Sequence, residues 1–250
     1  MVSSGTPLIA FENVAFWYDP SQKLLERFSW SVQPGESWSI VGPSGCGKST
    51  LLYLIAGLRH PCAGRVLLNG QEIQAPSRVV GLMLQDYGLL DWYTAARNIE
   101  LGLELRNVSA RERAQRLDHW LQALAIDHVR GQYPLHLSGG QRQRVALARL
   151  LALETPLQLL DEPLSAVDEL TRERLQTQIF QINREVGAST ITVTHNIEEA
   201  VLLGDKVLVI TDPYPISRFH IIETPFNSVP HRDDSAFVAH CRKIRQLIGL

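Results

Sequence analysis

The sequence predicts an α/β fold whose parallel sheet presents functional side chains at the carboxyl ends of its strands. Apolar runs of strand length at 79–85, 157–161 and 190–195 end in Gln85, Asp161 and His195. Helix-like stretches separate them, the alternation that winds parallel strands and gathers ligand groups at one sheet edge. A glycine-spaced loop, Gly42 to Thr50, lies between a strand-like run at 37–41 and an apolar helix-like run at 51–57.

That loop reads Gly42, Pro43, Ser44, Gly45, Cys46, Gly47, Lys48, Ser49, Thr50 and matches G-x-x-x-x-G-K-[ST]. Glycines let backbone N–H groups turn inward on a polyphosphate, and the next helix points its positive end at the same place. Lys48 is expected to reach the β and γ phosphates. Ser49 is expected to place its hydroxyl on Mg²⁺, and Thr50 to sit in the first helical turn near the phosphates.

The 250 residues suffice for one large domain, or one domain carrying an inserted subdomain. A formal net charge of −2 gives no global electrostatic case for nucleic acid. Cys46, Cys62 and Cys241 are odd in number and unrelated in spacing, which suits a reducing cytosol better than disulfides or zinc. The first seven residues lack the layout of a signal peptide, and no apolar run approaches the roughly 20 residues of a membrane helix. Work at a membrane would therefore proceed from the cytoplasmic side through a partner.

In chain order, residues 8–18 read as a strand closed by Asp19-Pro20-Ser21. Phe28, Trp30 and Val32 then alternate with Ser29, Ser31 and Gln33, so a second, antiparallel strand leads toward the phosphate loop. Trp17 and Tyr18, at the end of the first strand, are both candidates to stack on an adenine. Residues 64–70 form a further strand closed by Asn69-Gly70, completing an antiparallel layer. The run at 79–85 reads as a buried parallel strand delivering Gln85.

From 86 to 153 the pattern is helical. Ser109 and Glu112 form a capping box, and Ala114, Leu117, Trp120, Leu121 and Leu124 share one core-facing stripe. Leu137-Ser138-Gly139-Gly140-Gln141 precedes a strong helix former, a second N-terminus ready for an anion. Of the paired acids, Asp161 is suited to hold Mg²⁺ and Glu162 to polarise an attacking water. Leu175, Ile179, Ile182 and Val186 mark a helix face stopping at Gly187, and Asn196 caps another helix with Glu199 at the box position. Taken alone, Gln85 and His195 also read as strand-end side chains bonded to their own loops.

Together these motifs resemble the ATP-binding subunit of an ABC transporter over nearly the whole chain. Residues 42–50 match that family's Walker A, Gln85 its Q-loop, Leu137 to Gln141 its LSGGQ signature, and Asp161 with Glu162 its Walker B acid and catalytic glutamate. Ser165-Ala166-Val167-Asp168 matches the D-loop and His195 the switch histidine. The resemblance implies an α/β P-loop NTPase of the ABC ATPase fold: a RecA-like parallel-sheet core, an N-terminal antiparallel β subdomain and an inserted α-helical subdomain. Residues 1–250 would form a single domain, with the helical subdomain at about 86–153 and a short C-terminal extension at about 212–250.

The resemblance also implies ATP and Mg²⁺ as ligands, with Tyr18 stacking on the adenine. Ser49, Gln85 and Asp161 would serve the metal, and Glu162, His195 and Gln85 the hydrolysis. Two copies would sandwich ATP head to tail, so that Ser138, Gly139, Gly140, Gln141 and Asp168 act on the partner's nucleotide. The other partners implied are integral-membrane permease subunits and, indirectly, a substrate-binding protein, at the cytoplasmic face of the plasma membrane and without nucleic acid.

Leu89-Leu90-Asp91-Trp92 followed by Asn98 resembles the nitrate, sulfonate and taurine import branch, with Asp91 where proline is usual. Leu84, His136 and Gln158 depart from the family pattern without removing a catalytic group. The alternatives are an importer ATPase for another small nutrient, or a soluble ABC ATPase acting on nucleic acid or ribosomes. The apolar segment 86–98 is expected to dock on the permease through Trp92 and Tyr93, while Leu89 and Leu90 read equally as core.

Overall fold

The computed structural model describes residues 5–249 except 213, 225 and 227, and leaves aside the side chains of 183, 185 and 186. The chain opens with β1 (Ile9–Asp19) and β2 (Gln22–Val32), an antiparallel pair in which Ile9 faces Val32 and Asp19 faces Gln22. Then β3 (Ser37–Val41) runs into the phosphate loop and α1 (Lys48–Ile55). Next, β4 (Ala63–Leu68) returns beside β1 and turns through Asn69 and Gly70 into the short β5 (Gln71–Glu72). Both turn residues have positive φ, 51° and 76°, as a two-residue turn matched to strand twist requires. These strands make a four-stranded sheet ordered β2-β1-β4-β5.

The remaining strands are β6 (Val80–Met83), β7 (Leu157–Asp161), β8 (Ser189–Val193), β9 (Lys206–Ile210) and β10 (Phe219–Glu223). With β3 they form a six-stranded sheet ordered β10-β9-β3-β8-β7-β6. All pairings are parallel except β10 on β9. In β3, β7 and β8 every residue is buried, as layers on both faces of a parallel sheet demand. The run at 79–85 differs from expectation, because β6 is the sheet's edge strand and only half buried. Gln158, in fully covered β7, is 2 % exposed and its Oε1 has no hydrogen-bond partner among the described residues.

Between β6 and β7 lie α2 (Ala95–Leu105), α3 (Ala110–Ala123) and α4 (Gly139–Leu151). Leu117, Trp120, Leu121 and Leu124 are buried as their spacing predicts. Ala114 is exposed instead, since the packing of α3 begins only at Leu117. The Ser109 box is half formed: the hydroxyl accepts the Glu112 N–H, but the Glu112 carboxylate turns to Arg116 at 2.6 Å. A guanidinium outcompetes a backbone N–H for a carboxylate because the bond is charge-assisted at both ends.

After β7 come α5 (Glu169–Val186), α6 (Ile197–Leu203) between β8 and β9, and α7 (Ser235–Ile248) at the end. The tail beyond residue 211 joins the main body: β10 extends the sheet, and Phe237, Cys241 and Ile244 bury α7 in the larger core cluster.

Candidate nucleotide site

The phosphate loop is built for close approach. Gly45 and Gly47 have φ of 76° and 100°, and a Cβ on Gly47 would meet the Leu24 side chain at 2.8 Å. Gly47 is the N-cap of α1 and offers no side chain to cap it. Lys48, 7 % exposed, donates from Nζ to the carbonyls of Gly42 and Pro43 at 2.9 Å each. Carbonyls hold the ammonium in place without neutralising it, which leaves its charge for an anion. Cys46 packs into the N-terminal core, and burial pushes its thiol pKa up, so it contributes backbone only.

In the first turn of α1, Thr50 Oγ1 lies 3.2 Å from the Tyr18 hydroxyl. Tyr18 is 61 % exposed, steadied edge-on by Phe16 at 4.9 Å, and carries the Arg59 guanidinium over its ring at 5.9 Å. It lines the cavity and Trp17 does not, which separates the two candidates.

Asp161 ends β7 fully buried. Its Oδ1 accepts a hydrogen bond from Ser49 Oγ at 3.0 Å, while Oδ2 has no partner among the described residues and desolvation raises its pKa. A buried carboxylate oxygen without a donor, beside a hydroxyl, suits a divalent cation that takes its other ligands from phosphate and water, so these two residues fit Mg²⁺. Among the described residues no cluster of three His, Cys, Asp or Glu forms an all-protein cage.

Glu162 follows in the left-handed region, φ 53°, a conformation that costs a non-glycine residue about 1 kcal/mol or more. Its N–H donates to the Val193 carbonyl at 2.9 Å, and its own carbonyl accepts from Gln143 Nε2 and Ser165 Oγ at 3.2 Å each. These bonds hold the strained peptide. The carboxylate consequently leaves the line of β7 and meets His195 Nδ1 with Oε2 at 2.5 Å. Tyr18, Lys48, Ser49, Thr50, Gln85 and Glu162 all line one cavity of about 370 Å³.

Gln85, two residues beyond β6, is exposed and also lines a second hollow with Tyr53, Leu84 and Asp86. Arg149 of α4 donates to the Tyr87 and Gly88 carbonyls just after it. The helix that begins at the LSGGQ motif thus grips the Q-loop. Further along, Asn98 is fully buried. Its Oδ1 accepts the Leu90 N–H at 2.8 Å, and its Nδ2 donates to the Leu90, Tyr93 and Thr94 carbonyls. Asn98 thereby staples the loop that holds Trp92 69 % exposed, while Leu89 packs on the core and Arg97 covers the half-buried Tyr93 ring.

Ser138, Gly139, Gly140, Gln141 and Asp168 are absent from that cavity. Ser138 Oγ accepts the Gln141 N–H at 3.2 Å and Gln141 Oε1 accepts the Ser138 N–H at 2.8 Å, a complete capping box. Gly140 abuts the D-loop, where an added Cβ would touch Val167 at 3.1 Å. Asp168 Oδ1 accepts the Thr171 N–H at 3.0 Å, and the Thr171 side chain first, with that N–H second, lowers its pKa.

Sequence reasoning missed the wall behind Glu162. Glu199 offers its N–H to Asn196 Oδ1 at 3.0 Å, as the box position predicts, but its carboxyl turns inward to 3 % exposure with Oε1 unpartnered. Burial, with the Glu162 charge second, pushes it up to about 7 against the pull of Arg172, Gln176 and Thr194. Arg172 also donates to the Leu164 and Val167 carbonyls, pinning the D-loop. Arg172 and Gln176 share one face of α5 at i, i+4 spacing, but Glu199 comes from α6, and apolar periodicity does not register buried polar groups.

A parallel sheet with a phosphate loop after β3, a histidine just past the neighbouring β8 and paired acids at the end of β7 beyond it defines a nucleotide-hydrolysing P-loop protein. The chain belongs to the ABC transporter family, whose model matches residues 25–165. It is 37 % identical over 216 residues to a taurine import ATP-binding protein of Jannaschia sp., covering 85 % of this chain and 80 % of that one. A nitrate transport protein of Klebsiella oxytoca is 37 % identical over 220 residues, 85 % of this chain and 84 % of that one. Among solved structures, a dimeric ATP-binding cassette in a post-hydrolysis state bound to ADP and Pi superposes with a TM-score of 0.78 at 29 % identity, over 87 % of this chain and 99 % of that one. The ABC ATPase fold expected from the motifs is the fold found. Among the described residues no helix is long and apolar enough to cross a membrane.

Proposed function

We propose that this ABC ATPase subunit hydrolyses ATP between two copies of itself and so drives a membrane permease that imports a small anion, such as taurine, another sulfonate or nitrate. The observation that carries the hydrolytic reading is the Glu162–His195 contact at 2.5 Å, with Glu162 lining the same cavity as Lys48. Glu162 orients and deprotonates the attacking water, and His195 holds the γ-phosphate and keeps the carboxylate aimed. Lys48 and the loop amides take the phosphate charge, and Tyr18 carries the adenine. Mg²⁺, held by Asp161 and Ser49 with Gln85 nearby, would supply charge neutralisation across the phosphates.

The dimeric reading rests on the incompleteness of the cavity within one chain and on the dimeric cassette to which the chain is similar. Ser138, Gly139, Gly140, Gln141 and Asp168 would close the partner's site. The anion reading rests on the relatives' names and on the stapled Trp92 loop, which would seat on the permease and hold the subunit at the cytoplasmic face. Residues 86–153 would move as one helical unit, with Arg149 relaying closure to Gln85.

Replacing Glu162 by Gln keeps size and hydrogen bonding but removes the base. Steady-state phosphate release should fall about 100-fold or more while ATP binding persists. A variant that turns over near the wild-type rate contradicts the assignment.

A further inference from the structure

The connection from β9 to β10 runs over residues 211–218, far longer than the two-residue turn that would join adjacent antiparallel strands. Its path is fixed by packing. Ile216 is fully buried in the N-terminal core, donates its N–H to the Leu24 carbonyl at 2.8 Å and bridges Leu25 in parallel. Leu24 is also the residue whose side chain fills the space above Gly47. The connection and the phosphate loop are thus braced against the same strand, β2.

Two residues before Ile216, Tyr214 reaches the phosphate loop, and its hydroxyl donates to the Gly45 carbonyl at 2.7 Å. The peptide between Gly45 and Cys46 follows a glycine at φ 76°, where rotation meets no Cβ. Its N–H makes only a longer contact, 3.3 Å to the Pro43 carbonyl. A flipped peptide would aim a carbonyl oxygen at the phosphates and replace attraction by repulsion, so the loop needs this carbonyl held outward. A phenolic O–H does this as a donor anchored on a rigid ring. No residue of the phosphate-loop motif supplies that function.

We propose that Tyr214 is a positioning residue of the nucleotide site, which keeps the Gly45–Cys46 peptide oriented for phosphate by bonding the Gly45 carbonyl from outside the loop. The proposal rests on the reading of residues 42–50 as the polyphosphate site. Tyr214 and Tyr18 also border a cavity of about 170 Å³ with Leu24 and Thr50, so contact between the Tyr214 ring and the nucleoside is the competing role.

The test uses the full chain and two probes, MgATP and magnesium tripolyphosphate, the second lacking base and ribose. Tyr214→Phe keeps the ring and removes only the donor. Calorimetric titration should show both dissociation constants raised about 5-fold, the worth of one neutral hydrogen bond. KM for ATP should rise by the same factor with kcat unchanged at saturation, a split that mere loss of folded protein would not produce. Unchanged affinity for both probes overturns the proposal. Weakened MgATP with unchanged tripolyphosphate also overturns it and assigns the ring to the nucleoside. Wild-type chain that binds neither probe would refute the phosphate-loop reading itself.

Discussion

Two helix N-termini bracket the chemistry, and they are built oppositely. The N-cap of α1 is Gly47, with φ 100° and no capping side chain, and Lys48 follows it directly. The N-cap of α4 is Ser138, engaged with Gln141 in a reciprocal box. An uncapped terminus leaves its N–H groups to solvent or to a ligand, and beside a phosphate-binding loop it suits an anion. A capped terminus is stable alone and presents a preformed surface. In the proposed dimer the first would receive the nucleotide and the second would press on the partner's, as a cavity completed by a second copy requires. The N-terminus of α6 is a third case: it is capped by Asn196 and carries Glu199 into the interior.

The contrast can be broken at each end. Gly47→Ala should have the largest effect, since it imposes an unfavourable φ and a Cβ at 2.8 Å from Leu24. A cost of about 4 kcal/mol follows from strain plus overpacking, measurable as a fall in the denaturant midpoint together with loss of ATP binding.

At α6 the size of the effect depends on pH. The Glu199 carboxyl is raised from 4.5 to about 7, so the folded state holds a proton that the unfolded chain releases between those values. Its contribution is neutral below pH 4.5, grows unfavourable as pH rises toward 7, and is constant above. Glu199→Gln should therefore stabilise the chain by about 3 kcal/mol at pH 8 and by little at pH 4.5, read from denaturant unfolding at both values.

The smallest effect belongs to the pressing end. Gln141→Ala breaks one half of the Ser138 box and should cost about 1 kcal/mol of stability in the isolated subunit without weakening its ATP binding.

The receiving end was legible in the sequence because its parts are contiguous. Gly42 through Thr50 follow β3 without interruption, and Gln85, Glu162 and His195 each lie just past a strand whose apolar run announces it. The two N-termini could be read as anion-ready, but not as opposites, since the same glycine-rich pattern precedes both. What distinguished them was whether a side chain two or three residues away closed a box. Residues that act across the chain were not legible. Arg149 on the Q-loop, Arg172 on the D-loop and Tyr214 on Gly45 each bond a carbonyl, and a carbonyl acceptor leaves no trace in residue type. The strand order likewise put β6 at an edge that its apolar run did not foretell.

The central claim is that the site is shared between copies, with the receiving end of one facing the pressing end of the other. Ser138→Arg should be inactive but bind ATP as a monomer, and Lys48→Ala should be inactive through its own phosphate loop. Mixed, they form heterodimers in which the Ser138→Arg copy supplies an intact phosphate loop and the Lys48→Ala copy an intact Ser138. Phosphate release measured on the mixture should therefore appear where neither protein alone shows any, at no more than one competent site per dimer. Silence of the mixture, given demonstrated heterodimers, or full hydrolysis by the Ser138→Arg chain alone, would contradict the account.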